Sequence, residues 1–244
     1  MRHNLLIKMA TLGLALSAQP ASAATVVYTN SASFLSQLSA SFTDTYSPAQ
    51  GYGSPTTVTT YNDEAMTAIV GQASYHTTTF AGINYVGDTL AGELDGAYCS
   101  GCNGSFELGF SNTSFTQNGG VFGVGFDVDF NPNIYVHGPA VAFVTFADNS
   151  TANFALPVQN SVRDAFVPAY FGITSDLGVK TIHIGGFNGV ANVDFFVMDN
   201  LTIGSARAIS AVPERGAWNM MIMGFGMAGA GIRRRRRELA VALV

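Results

Sequence analysis

Between residues 122 and 130 the chain alternates without a break. Phe122, Val124, Phe126, Val128 and Phe130 fall on one side, and Gly123, Gly125, Asp127 and Asp129 on the other. Successive side chains of an extended strand point to opposite faces, so this pattern predicts a strand with one apolar, buried face. Such a face has to be covered, and the rest of the sequence offers mainly more strands to cover it. Phe106, Leu108 and Phe110 alternate in the same way. Residues 25–28, 56–61, 75–80, 141–146, 151–156, 169–173, 179–184 and 192–203 also have strand composition, with turn residues at Asp148-Asn149, Ser175-Asp176 and Gly185-Gly186. The stretches 43–53 and 87–104 are rich in polar and turn residues. One short helix is expected over 31–38, with Ser31 or Ser33 as N-cap and Phe34, Leu35 and Leu38 on one face. No long helical period precedes the C-terminal tail. Many short strands joined by Gly, Asn and Asp turns predict an all-β fold, an antiparallel β-sandwich of jelly-roll-like form.

The two ends of the chain have a different character. Arg2, His3 and Lys8 precede a mostly apolar run at 9–18, and Pro20 then leads into Ala21-Ser22-Ala23. A basic start, an apolar centre and an A-x-A site make residues 1–23 a secretory signal peptide, with Ala24 beginning the mature chain. At the other end, Pro213-Glu214-Arg215-Gly216-Ala217-Trp218 opens an uncharged run that reaches Ile232 and stops at Arg233, Arg234, Arg235, Arg236 and Arg237. A helix over 218–232 rises roughly 22 Å, short of a hydrocarbon core of roughly 30 Å. Snorkelling of Arg233 and Arg234 and local thinning cover the difference, so a single transmembrane helix is expected. Gly224 with Ala228, and Gly226 with Ala230, leave one face of that helix open to close approach. The competing assignment, a buried soluble helix, sits poorly with these glycines and with five consecutive arginines. Trp218 then marks one interface and the arginines the cytoplasmic one. The expected layout is a signal peptide (1–23), an ectodomain (24–204), a tether (205–211), a tail signal (212–237) and a short extension (238–244).

The motif, the Gly- and Met-rich run and the Arg cluster, in that order, resemble the PEP-CTERM sorting signal in its PEPxxW form. Arg215 stands where that family usually has a second Pro, and residues 238–244 continue past the usual end. The resemblance implies a protein of a Gram-negative, exopolysaccharide-producing bacterium. It implies recognition of Pro213, Glu214, Arg215, Trp218 and Arg233 to Arg237 by an exosortase, a membrane-embedded transpeptidase-like enzyme. It further implies a precursor held in the inner membrane, then sorting to the envelope surface or the extracellular matrix of a biofilm. Binding of exopolysaccharide is implied on the same footing. Three further segments, 171–176, 182–184 and 195–201, are similar to the final strands of many PEP-CTERM ectodomains. They are also similar to the closing strand of carbohydrate-binding jelly rolls, where an Asp often ligates a structural calcium.

Charge narrows the partners. Between 24 and 212 the chain carries fourteen acidic residues against Arg163, Lys180 and Arg207, a net charge of −11, whereas the whole chain stands at −5. Such a domain has no means of neutralising phosphates, which excludes nucleic acid as a partner. It is compatible with a divalent cation. Asp199, followed by Asn200, lies directly after an apolar run, and a buried carboxylate there needs compensation. Asp127 and Asp129 share a strand face with Asn131, a second candidate calcium group, although the Gly and Glu that complete an EF-hand loop are replaced by Pro132 and Gly138. The alternative for Asp127 and Asp129 is a solvated outer face.

Cys99 and Cys102 are the only cysteines. In an oxidising compartment, with no second pair to complete a zinc site and no following His for haem, a small structural disulfide ring is expected; a redox pair is the alternative. His76, His137 and His183 are scattered, and no H-E-x-x-H, G-x-S-x-G or phosphate loop occurs. Carboxylate pairs such as Glu93 and Asp95 keep a polysaccharide hydrolase open as an alternative. Tyr46, Tyr52, Tyr61, Tyr85, Tyr98 and Tyr135 are candidate sugar-stacking rings if exposed. The expected function is non-catalytic, an exported and sorted surface protein with an exopolysaccharide ligand; a matrix protein without ligand is the third reading.

Overall fold

The computed structural model describes residues 23–53, 57–79, 81–87, 96–101, 104–130, 140–157, 169–186, 196–207, 220 and 222–227, and for Asp129 and Phe130 the backbone alone. In chain order the elements are β1 (Thr25–Tyr28), α1 (Ser31–Leu35), β2 (Leu38–Asp44), β3 (Thr59–Tyr61), α2 (Asp63–Val70), β4 (Ser74–Thr77), β5 (Asn84–Gly87) and β6 (Ala97–Ser100). They continue with β7 (Phe106–Gly109), β8 (Val121–Phe130), β9 (Ala140–Phe146), β10 (Thr151–Ala155), β11 (Ala169–Gly186) and β12 (Phe196–Ala206). Every strand pairing is antiparallel, and the fold is all-β.

The alternating segment is β8, and it lies between β11 and β12. Val124, Phe126 and Val128 are fully buried on its inner face. Its outer face is not bare. Phe34 of α1 is itself fully buried, lying over Gly123 and Gly125 of β8 and Gly172 of β11. A Cβ at Gly172 would stand 3.0 Å from the Phe34 ring, and one at Gly123 would stand 2.8 Å from Leu38. The glycines therefore form a trough that admits an aromatic ring to the outer side of the sheet. The N-cap is Asn30, not Ser31 or Ser33, with its side chain accepting from Ser33 N at 3.0 Å, and the helix ends at Leu35, since Leu38 already opens β2.

Two expected strands, 169–173 and 179–184, are one continuous strand, β11, that changes neighbours midway. Residues 169–175 pair with β8 and β1, and residues 179–186 pair with β9 and β7. The change falls at Gly178, whose φ of 76° is left-handed, and at a register shift between Val179 and Thr181. Two sets of strands thus share β11: β1, β8, β12, β2, β6, β5 and β3 on one side of the change, β10, β9, β7 and β4 on the other. Their rings meet. Tyr98 of β6 lies 5.0 Å from Phe106 of β7 and 5.1 Å from Tyr75 of β4, and Phe154 of β10 lies 6.4 Å from Phe171 of β11. One contiguous hydrophobic core joins both sets.

Other expectations are corrected. Residues 63–70 form α2, capped by Asn62, whose side chain accepts from Ala65 N at 2.7 Å, and closed by Gly71 at φ 63°. Part of 87–104 is strand, since β6 runs through Cys99. β12 reaches Ala206, beyond the expected end of the ectodomain at 204, and Arg207 N then donates to Gln37 O at 3.0 Å. The single hydrophobic helix expected over 218–232 is not found as such. Among the described tail residues, Met220 and 222–227 are helical and exposed, and no helix among the described residues is long and apolar enough to cross a membrane.

Candidate functional site

The registers of β4, β7, β11, β9 and β10 bring distant polar residues into line. His76, Glu107, His183, Phe143 and Asn153 are successive partners across the five strands. Beside them runs a second row, Ser74, Gly109, Thr181, Thr145 and Thr151. Both rows sit opposite the buried Tyr75, Phe106, Leu108, Ile182 and Val144, so they belong to the outer face.

At one end of this face is a half-open cleft of about 270 Å³. Gly109 and Glu107 lie at its floor, Thr67 and Gln72 on one wall, and Ser111 and Thr113 on the other. The first wall is the last turn of α2, held to β4 because Tyr75 N donates to Thr67 Oγ1 at 3.1 Å. The second is the loop after β7, folded on itself as Thr113 N donates to Thr116 Oγ1 at 2.8 Å. Ser114 ties the walls together: its N and Oγ donate to Gln72 Oε1 at 3.0 and 2.8 Å. A Cβ at Gly109 would fall on Ser74 Oγ, so glycine keeps the floor open. The lining is hydroxyls and amides with one carboxylate, Glu107.

Next to Glu107 an aromatic surface begins. The rings of His183 and Phe143 are 5.7 Å apart and inclined by 31°. Burial pushes the His183 imidazole below its ordinary range, with Glu107 opposing that shift, so a neutral ring faces the carboxylate near pH 7. His76, exposed, turns instead toward Asp63, with Nδ1 3.4 Å from Oδ2. The alternation of Phe106, Leu108 and Phe110 leaves Glu107 on the opposite face, whereas nothing local to His183 links it to Glu107. Only the register, which a single sequence does not reveal, joins them into one row.

The expected calcium residues are also brought together, in part. Asp127 and Asp199 are cross-strand partners on β8 and β12, and a bulge between Asp199 and Thr202 turns Asn200 into the left-handed region at φ 52°. Asn200 Nδ2 donates to Asp127 Oδ2 at 2.8 Å and to Asp199 Oδ2 at 3.0 Å, while its backbone N donates to Asp199 Oδ1 at 2.6 Å. Burial raises the Asp127 carboxyl above its usual range, and the Asn200 hydrogen bond pulls the other way. Burial, and next the Asp127 charge, push the Tyr170 phenol up. Calcium takes six to eight oxygens, and three side chains with an amide NH₂ turned inward do not form that cage as they stand. No group of three or more His, Cys, Asp or Glu side chains placed to hold a metal occurs among the described residues. The Asp129 side chain lies outside the described set.

Three of the expected sugar-stacking rings are placed elsewhere: Tyr46, Tyr52 and Tyr98 are 1%, 5% and 0% exposed. Tyr98 stacks on Tyr46 and meets Tyr75, while Asp44, also buried, accepts at Oδ2 from Tyr52 Oη at 2.7 Å and at Oδ1 from Tyr46 N at 3.1 Å. Tyr61 and Tyr85 are partly buried. Cys99 is held in a disulfide, and Cys102, the only other cysteine, lies outside the described residues. So do Tyr135, Glu93, Asp95, Pro213, Glu214, Arg215, Trp218 and Arg233 to Arg237. No family model, no curated protein and no solved structure matches the chain.

Proposed function

We propose that this chain is an exported protein of the cell surface or extracellular matrix that binds exopolysaccharide without cleaving it. The observation that carries the reading is the cleft floored by Glu107 and Gly109 and continued by the His183–Phe143 pair. Sugar rings present hydroxyls around an apolar face. Hydroxyl and amide walls beside a partly exposed aromatic suit both features. Among the described residues Glu107 is the one carboxylate lining the cleft, whereas glycoside hydrolysis ordinarily uses two, and this supports binding over cleavage. A carboxylate in the site and a net charge of −11 between 24 and 212 favour neutral or amino sugars over uronate polymers. The architecture that goes with this reading is a β-sandwich of jelly-roll-like form, supported by the two strand sets that share β11 and by their interlocking rings. Sorting by an exosortase-type enzyme through Pro213, Glu214, Arg215, Trp218 and the Arg cluster completes the proposal. A structural calcium ion at Asp127 and Asp199 also belongs to it, on condition that Asn200 turns its Oδ1 inward.

The test is a glycan array with the exported protein, run in calcium and in chelator, alongside Glu107→Gln and Phe143→Ala. Retention of neutral or amino glycans by the parent, weakened about tenfold or more in Phe143→Ala, is the expected result. Shortened glycans in the eluate favour a hydrolase instead. No retention of any glycan leaves a matrix protein without ligand. Retention and melting temperature unchanged between calcium and chelator remove the calcium ion.

A further inference from the structure

The boundary expected from Ala21-Ser22-Ala23 falls beside a residue that the fold grips, Ala24. Ala24 N donates to Asp176 Oδ2 at 3.1 Å, and Asp176 N donates back to Ala24 O at 3.1 Å. Immediately inside this clasp, Thr25 pairs with Ser175 in the register of β1 on β11, with their hydroxyls 2.9 Å apart. Ala23 and Ala24 are exposed, so the bond between them is reachable by a protease.

We infer that Asp176 is the receptor for the α-ammonium group released when the leader is removed between Ala23 and Ala24. The inference rests on the export reading. Hydrolysis of that bond takes up one water, leaves a carboxylate on Ala23 and an amine on Ala24, and the amine is protonated near neutral pH. The nitrogen that donated as an amide then stands at the same carboxylate with three N–H donors and a positive charge. A neutral hydrogen bond becomes a charge-assisted one, without movement of the backbone. Few other charges contend for the position. α1, packed beside β1, has no ionisable side chain. Tyr28, the only ionisable residue of β1, contacts Thr174 Oγ1 through its hydroxyl at 3.2 Å, and Lys180 further along β11 donates to Asn149 Oδ1 at 2.9 Å.

The clasp has a task. Among the described residues β1 pairs with β11 alone, and it exposes Val26 and Val27. A strand with one neighbour frays from its free end, and its unpaired edge invites other chains. Removal of the leader would thus fasten the edge strand that it exposes.

The experiment uses the fact that the processed chain has only two amines, the α-amine of Ala24 and the ε-amine of Lys180, since Lys8 leaves with the leader. The full chain is exported, purified and weighed intact, then pulse-labelled with an amine-acylating reagent between pH 6 and 9. The parent and Asp176→Asn are compared, with Lys180 as internal reference. Acylation needs the unprotonated amine. The expected result is a start at Ala24 and roughly two- to sevenfold slower α-amine labelling in the parent than in Asp176→Asn near pH 7.5, a shift of about half to one pKa unit. The difference should shrink in 1 M salt, because the pair is exposed. A start at Ala24 with equal labelling of parent and variant overturns the inference alone. A start at another residue overturns it together with the expected cleavage site. Circular dichroism of the variant confirms that its fold is intact, so a loss of structure is not mistaken for a loss of the ion pair.

Discussion

Asp44 shows how a residue's chemistry depends on its neighbours in space. Burial raises its carboxyl above the usual carboxylate range, while hydrogen bonds from Tyr52, the Tyr46 backbone and Tyr75 pull it down; burial dominates. The sign for stability follows. The folded chain holds the proton more tightly than the unfolded chain does, so Asp44 contributes most to stability below the unfolded value near 3.8. That contribution declines as pH rises through the folded value and is level above it. Denaturant unfolding of the parent between pH 3 and 7, after allowance for the other carboxylates, should contain this descending component. Asp44→Asn should lack it while losing one hydrogen bond, about 1–2 kcal/mol at low pH. A variant with the same pH slope as the parent would assign the component to another group. Two of its donors, Tyr46 and Tyr52, lie near Asp44 in sequence, but Tyr75 comes from β4 far along the chain, and the polar composition around Asp44 does not announce its burial. Alternation is a local property and register is not: the apolar alternation of 106–110 is readable, but the row that joins Glu107 to His183 is not.

Elements were legible where one periodicity governs them. β8 was recognised by its alternation, and the inner face follows it. α2 was missed although its signals are in the sequence: Asn62 as cap, Asp63 and Glu64 in the first turn, and Gly71 at the end. Its eight residues are too few for helical period to outweigh the surrounding Thr-rich composition. β11 was split in two because Ser175, Asp176 and Gly178 have turn composition; at Gly178 the strand bends without ending. The glycine trough on β8 was visible only as small residues on an outer face, since the ring that fills it comes from α1. That trough carries a prediction. Phe34→Ala should lose about 3–5 kcal/mol in chemical denaturation, as a fully buried ring would, and not the fraction expected of a surface helix. A loss under 1 kcal/mol would mean that α1 only rests on the sheet.

Over the whole molecule, the ends and the middle differ in what they let a reader infer. The proposed leader and sorting tail are read from local composition, whereas the proposed ligand face is assembled from five strands in register. The address can be tested without knowing the ligand. Replacing Trp218 with Ala and Arg233 to Arg237 with Ser should move the protein between membrane, surface and medium fractions, read by immunoblot against the parent. An unchanged distribution would show that the tail is not a sorting signal.

The way the chain leaves the fold has a mechanical consequence. Arg207 follows directly on β12, which is bonded to β8 on one side and to β2 on the other almost to its last residue. A pull on the tail along this strand strains both rows of hydrogen bonds in shear together, so many must fail at once. A pull on Ala24 meets β1, which has one neighbour among the described residues and peels from its end. If the proposed tail holds the molecule in flowing medium, the load passes through β12, a strand paired on both sides, and rupture under force is set by how slowly that strand yields, not by equilibrium stability.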